Sequence, residues 1–279
     1  MKNNKSFSPT RKSILTGIFI GVFITCLACK YSNLFQTQTT TTNVGFSENL
    51  LNNPEKYIIK RIPKSIASID DVELRKRVFI RILTPAAMVA LSEVRKERNA
   101  LINILKKMNG QKITDASLDS IDKDERVFLR VIVKKYRSND PSELLKRIDE
   151  VPLNLILAQA AIESNWGTSR FAIEGNNLFG IWTYRHQGIK PKKSRPGDNH
   201  KVARYPSILD SVRDYIYNLN VGWAYKDFRE ARTKTKDAVE LASYLSKYSE
   251  KGELYIKLVK ALSRKLNKQY AASYVNLFN

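Results

Sequence analysis

The stretch from Val151 to Trp182, VPLNLILAQAAIESNWGTSRFAIEGNNLFGIW, constrains this fold more than any other part of the chain. Its first half predicts a helix opened at Pro152, whose missing N–H is not needed in the first turn, and closed just before Gly167. Leu153, Leu155, Ile156, Leu157, Ala158, Ala160, Ala161 and Ile162 leave this helix almost no polar face, so other elements must cover it on most sides. Such a helix belongs at the centre of a fold. It carries a single acid, Glu163, near its C-terminal end. There the negative end of the helix dipole and an apolar wall both disfavour the charged form, and no Lys or Arg precedes it within the helix. A carboxylic acid that keeps its proton at neutral pH is the group general-acid catalysis requires. The alternative for a lone Glu is a solvated side chain at a fraying helix end.

The segments that could cover this helix are also helical. Asp70 or Asp71 caps a predicted helix running through Leu83, and Thr84-Pro85 opens a long one ending at Asn109-Gly110. A further helix is predicted from Ser117 to Tyr136, and Asp140-Pro141-Ser142-Glu143 starts a shorter one. Beyond Trp182 the pattern changes: residues 184–205, rich in Gly, Pro and base, predict two short strands around a long loop. Ser207 to Asp210 then starts a helix through Leu219, and helices near 237–248 and 253–267 follow. The expected class is mainly α with one small β-hairpin. We expect a helical module at 57–144 and a second, chemistry-bearing domain at 145–279.

The N-terminus points to export. Lys2, Lys5, Arg11 and Lys12 precede the apolar run Ile14–Cys29, which has the make-up of a signal peptide or membrane anchor and is short for a full span. Residues 31–56, with Thr37 to Asn43, read as a flexible linker. Localisation in the periplasm or cell envelope is the expectation, with residues 14–29 either a cleaved signal or an anchor in the inner membrane. Cys26 and Cys29 are the only cysteines, so no disulfide framework holds the body together. His186 and His200 share one loop region that contains no Cys, and neither a metal nor another cofactor is expected. A net charge of +21 calls for an anionic partner surface, such as a cell-wall polymer or an anionic membrane. No nucleic-acid-reading signature accompanies it, so nucleic acid is not the expected partner.

Ala158 to Phe171 (AQAAIESNWGTSRF), followed by Gly175 to Trp182 (GNNLFGIW), resembles the Bax-type bacterial glucosaminidases of glycoside hydrolase family 73. The resemblance covers roughly the last half of the chain. It implies a lysozyme-like fold that cuts the glycan strands of peptidoglycan, with Glu163 in the position of the general acid; the chain is expected to be a monomer. Ile162 stands where the family usually shows Asn. The segment Asn220 to Tyr225 resembles the family's Asn…Ala-Tyr element, which implies a catalytic role for Tyr225; packing at a helix end is the alternative.

Glycosidases commonly use two carboxylates. The family's second acid is expected from the hairpin, where Asp198 is the candidate in this chain. Its setting, Gly197-Asp198-Asn199, also suits an ordinary turn, and where Bax-type relatives carry His-Glu-Val this chain reads His200-Lys201-Val202. The substrate's own N-acetyl group as internal nucleophile is the alternative. Trp166, Phe179, Trp182 and Tyr184 offer flat faces for pyranose rings, though each also suits a core. Asn177 suits either a tight turn or an N-acetyl contact, and Ser164 could orient Glu163.

Three activities fit these residues. An endo-β-N-acetylglucosaminidase explains most of them; a lytic transglycosylase needs a single carboxylate; a non-catalytic polyanion-binding module needs only the charge.

Overall fold

The computed structural model describes Leu50, residues 52–183, 188–192 and 201–278, with side chains as far as Lys268. The apolar N-terminus, nearly all of the 31–56 tract, and the candidates Asp198 and Tyr184 therefore lie outside the described residues. Gly45–Asn279 forms one compact unit. Ten helices are described: α1 Val72–Lys107, α2 Asp115–Leu118, α3 Lys123–Tyr136, α4 Pro141–Arg147, α5 Leu153–Glu163, α6 Arg170–Gly175, α7 Ile208–Val221, α8 Lys226–Arg232, α9 Ala238–Leu241 and α10 Gly252–Phe278. Single 3-10 turns at Trp223–Tyr225, Ala242–Tyr244 and Ser246–Tyr248 link the later ones.

Helix α5 is the centre. It packs against α1 on one side and α10 on the other, and Leu153 and every residue from Leu155 to Ala161 is buried. Each of its Leu and Ile side chains contributes roughly 1.5–3 kcal/mol by leaving water. One hydrophobic cluster runs from Ile62 on the N-terminal side to Leu266 on α10. The segments 57–144 and 145–279 therefore share a core. Polar ties reinforce the junction between α1 and the turn before α5. Arg95 grips Glu150 with two charge-assisted bonds of 2.7 Å, and Arg98 donates to the carbonyls of Leu145 and Ile148.

The predicted break at Thr84-Pro85 does not occur: α1 runs through Pro85. Proline cannot donate to the carbonyl four residues back. However, Phe79, Ile80 and all of the residues from Ile82 to Met88 are buried, and Thr84 Oγ1 donates to the Ile80 carbonyl at 2.8 Å. Burial along this stretch outweighs the lost bond. The helix predicted at 117–136 is in fact two, because Asp122 accepts from Glu125 N–H and opens α3 afresh. The ends of α1 and α4 fall where the sequence puts them. Asp71 caps α1, Asn109 and Gly110 close it in left-handed conformations, and Asp140 caps α4.

The predicted two-stranded hairpin is a three-stranded antiparallel sheet of order β1-β3-β2, with β1 Trp182–Thr183, β2 Gly188–Ile189 and β3 Lys201–Ala203. Val202 pairs with Trp182 on one side and Ile189 on the other. The extra strand comes from within the long loop, where Gly188 lies so close to β3 that a side chain would meet Lys201 Cβ at 2.6 Å. Among the described residues no helix is long and apolar enough to cross a membrane.

Candidate active site

Glu163 is the last residue of α5, half-buried at the end of the most buried helix. The chain turns sharply behind it. Asn165, Trp166 and Gly167 are consecutive residues with positive φ of 49°, 56° and 79°. Left-handed backbone is disfavoured for non-glycine residues, and here it is held by Trp166 N–H on the Ala161 carbonyl at 2.8 Å. Ser164 completes the lock: its hydroxyl donates to the Ala160 carbonyl at 2.5 Å and accepts from Gly167 N–H at 2.9 Å. Ser164 thus shapes the turn that presents Glu163 and makes no bond to the carboxyl itself.

The loop before β1 lies against the acid. A Cβ at Gly180 would stand in ordinary van der Waals contact with Glu163 Oε2, at 3.6 Å, and the φ of +66° there is what favours glycine. Asn177 fixes this loop. Its amide donates to the carbonyls of Ile181 and Ala203, both at 2.9 Å, and its oxygen accepts from the N–H groups of Phe179 and Ile181. With those bonds made and the side chain buried, Asn177 has nothing left for an N-acetyl group. Phe179 is buried as well, stacked on Tyr215 with centroids 4.0 Å apart, and offers no face to a sugar. Trp166 packs edge-on against Phe79 of α1, with Lys76 over its ring. Asn177 and Phe179 are spent inside the fold, while Trp166 is half-buried. Trp182 keeps about half its surface in solvent, at 52%.

Four tyrosines form the inner wall. Burial raises the phenol pKa of Tyr215, Tyr225, Tyr248 and Tyr255, and the charge of Glu163 adds to the rise in each, which places all four around the same carboxyl. A relay of hydrogen bonds backs one of them. Tyr215 donates to Gln159 Oε1 at 2.5 Å, and Gln159 Nε2 donates to the Tyr255 oxygen at 2.7 Å. That leaves the Tyr255 proton for Glu163, on which Tyr255 acts through a hydrogen bond. Tyr248 donates to the Phe179 carbonyl at 2.9 Å and stacks on Tyr255. Tyr225, 8% exposed, sits 6.1 Å from Tyr248 by ring centroids.

Burial pushes the Glu163 pKa up; the Tyr255 hydrogen bond and the Lys251 ammonium pull it part of the way back. The net effect is a carboxyl pKa raised from its ordinary value, with burial the dominant cause. Among the described residues no second carboxylate acts on it, and no group of three or more His, Cys, Asp or Glu is placed to hold a metal ion. Cavities of ≈ 670 and ≈ 520 Å³ lie elsewhere, one lined by α9 and α10, the other between α1 and α7, and Glu163 lines neither.

The structure brings Tyr225 to the Glu163 carboxyl; sequence reasoning did not foresee Gln159, Tyr248, Lys251 or Tyr255 there. Gln159 was legible as the one polar residue between Leu155 and Ile162 of an apolar helix. The tyrosines of the C-terminal segment carry no local signal, since only the chain's return across α5 brings them there.

The family model described as Mannosyl-glycoprotein endo-beta-N-acetylglucosaminidase matches residues 139–278. Protein bax of Escherichia coli (strain K12) is 32% identical over 199 residues, covering 65% of this chain and 66% of that protein. The peptidoglycan hydrolase FlgJ of Salmonella typhimurium (strain LT2) is 30% identical over 206 residues, 68% of this chain and 63% of that protein. FlgJ of Escherichia coli (strain K12) is 29% identical over 215 residues, 70% of this chain and 66% of that protein. The chain thus spans just under two thirds of the length of each of these relatives. No solved structure matches. The family match begins at the cap of α4 and takes in α5, the Gly180 loop and the tyrosine wall: the chain belongs to the glucosaminidase family.

Proposed function

We propose that this protein is a peptidoglycan hydrolase, an endo-β-N-acetylglucosaminidase that cleaves β-1,4 bonds of the cell-wall glycan with Glu163 as general acid. The observation that carries the reading is a carboxyl at the end of a buried helix, its pKa raised by burial, set among four phenols beside a glycine loop. The name of the Salmonella relative, a peptidoglycan hydrolase, supports the substrate class. In this mechanism Glu163 gives its proton to the leaving glycosidic oxygen, and Tyr255 holds the resulting carboxylate. Tyr225 contacts the reacting sugar in this reading, which its hydrogen bond to Asn218 and its position by the same carboxyl support. Asp198, or the substrate's N-acetyl group, stabilises the oxocarbenium charge. Trp182 and Tyr184 stack on the glycan. Export of the chain, through residues 14–29, puts it in the envelope with its substrate, where it acts as a monomer.

Release of new reducing ends from purified peptidoglycan tests the reading. Replacing Glu163 with Gln should lower the rate by about 10²–10⁴-fold, the usual contribution of a positioned acid. Equal rates from both proteins would remove Glu163 from the chemistry.

One observation favours a second reading. Lys251 is the one charged side chain acting on Glu163 among the described residues. A lytic transglycosylase needs no second acid, because the muramyl 6-hydroxyl serves as internal nucleophile. The two differ in the chemical ends they leave.

A further inference from the structure

Two short turns flank Glu163, and they meet twice. On the inside Tyr225 of the Trp223–Tyr225 turn lies against Tyr248 of the Ser246–Tyr248 turn, ring centroids 6.1 Å apart. On the outside Trp223 and Lys247, from the same two turns, lie together: the Lys247 ammonium stands 5.4 Å from the indole centroid. The inner pair faces the carboxyl; the outer pair faces water. Trp223 is 83% exposed, the most exposed large hydrophobic side chain among the described residues.

Single exposed apolar residues are ordinary on any surface. This one differs by position. Trp223 lies two residues from Tyr225, just as Trp182 lies two residues from Gly180, so both exposed indoles are tethered to groups at the acid. Three more features set its chemistry. The ring is flat and wide enough to cover a pyranose. The ammonium on it is a donor for a carboxylate. Lys251, three residues after Tyr248, is a second cation in this stretch and acts on Glu163 directly.

We propose that Trp223 and Lys247 form a sugar subsite beside the cleavage centre, taking a pyranose ring that bears a carboxylate. The indole stacks on the ring and Lys247 pairs with the acid arm. In a peptidoglycan strand the ring of that description is N-acetylmuramic acid, whose lactyl group or attached peptide supplies the carboxylate. A chitin-type strand has the same linkage and no such acid. The inference deepens the glucosaminidase reading and rests on its assignment of a glycan substrate.

Isothermal titration of the full chain carrying Glu163→Gln tests the subsite without turnover. The probes are a tetrasaccharide of alternating N-acetylglucosamine and N-acetylmuramic acid, and chitotetraose. Adding Trp223→Ala should weaken both by about tenfold, as for an aromatic anchor, while Trp223→Tyr keeps most of the affinity. Adding Lys247→Ala should weaken only the muramyl sugar, by about threefold, and Lys247→Arg should restore it. The subsite is overturned if the parent binds neither sugar, if Trp223→Ala changes nothing, or if Lys247→Ala weakens both sugars alike. Wild-type turnover separates this from the parent reading. Binding as described with no release of reducing ends would remove the catalytic assignment and leave the subsite; turnover without that binding pattern would do the reverse.

Discussion

Glu163 is a carboxyl group held partly out of water by the fold around it, and its environment makes it an acid with a definite sign of pH response. Burial raises its pKa in the folded chain above that of the unfolded one, so between the two values the folded state binds more protons. Stability from this group therefore falls as pH rises through that window, and the deficit persists at neutral pH. Glu163→Gln removes it. The variant should melt above wild type near neutral pH and lose that advantage in acid, below the ordinary carboxylate range; a lower melting point at neutral pH would contradict the burial argument. Tyr255 and Lys251 act in the opposite direction, lowering the pKa. Removing either, as Tyr255→Phe or Lys251→Ala, should move the alkaline limb of kcat/KM to higher pH. A downward move in either variant would mean that the group does not stabilise the carboxylate.

At the scale of an element, the feature that matters is the turn after α5. Three left-handed residues in a row allow the helix to stop at Glu163 and the chain to run on into α6, with Ser164 bonded across the bend. Gly167 is required twice over. Its φ is +79°, and a side chain there would meet Phe79 Cδ2 at 2.8 Å and Ile66 Cδ1 at 3.2 Å. Gly167→Ala should therefore destabilise the protein by about 1–3 kcal/mol, seen in chemical denaturation. A neutral result would show that α1 yields easily at that contact.

These same elements show what could be read from the sequence. The apolar run of α5 and its single acid were legible because burial and dipole act over a few residues, as were the caps Asp71, Asp140 and Ser207. Pro85 misled, because its local preference opposed a burial supplied by distant elements. Phe179 and Asn177 read either way in sequence; the structure shows one stacked inside the core and the other bonded to four backbone groups. Tyr255 was illegible, since its partner Gln159 lies 96 residues away along the chain.

For the whole molecule, the shared core explains why residues before the family match matter to the site. Phe79 and Ile66 press on Gly167, and α1 covers one side of α5 while α10 covers the other. Helix α1, outside the family match, braces the acid's helix. The net charge of +21 suits a chain working against an anionic wall polymer. The account stands or falls on which bond is cut. Mass spectrometry of purified peptidoglycan digested by the full chain, beside Glu163→Gln, reads this directly. The account predicts fragments ending in reducing N-acetylglucosamine from wild type and none from the variant. Anhydromuramyl ends, or the same fragments from both proteins, would contradict it.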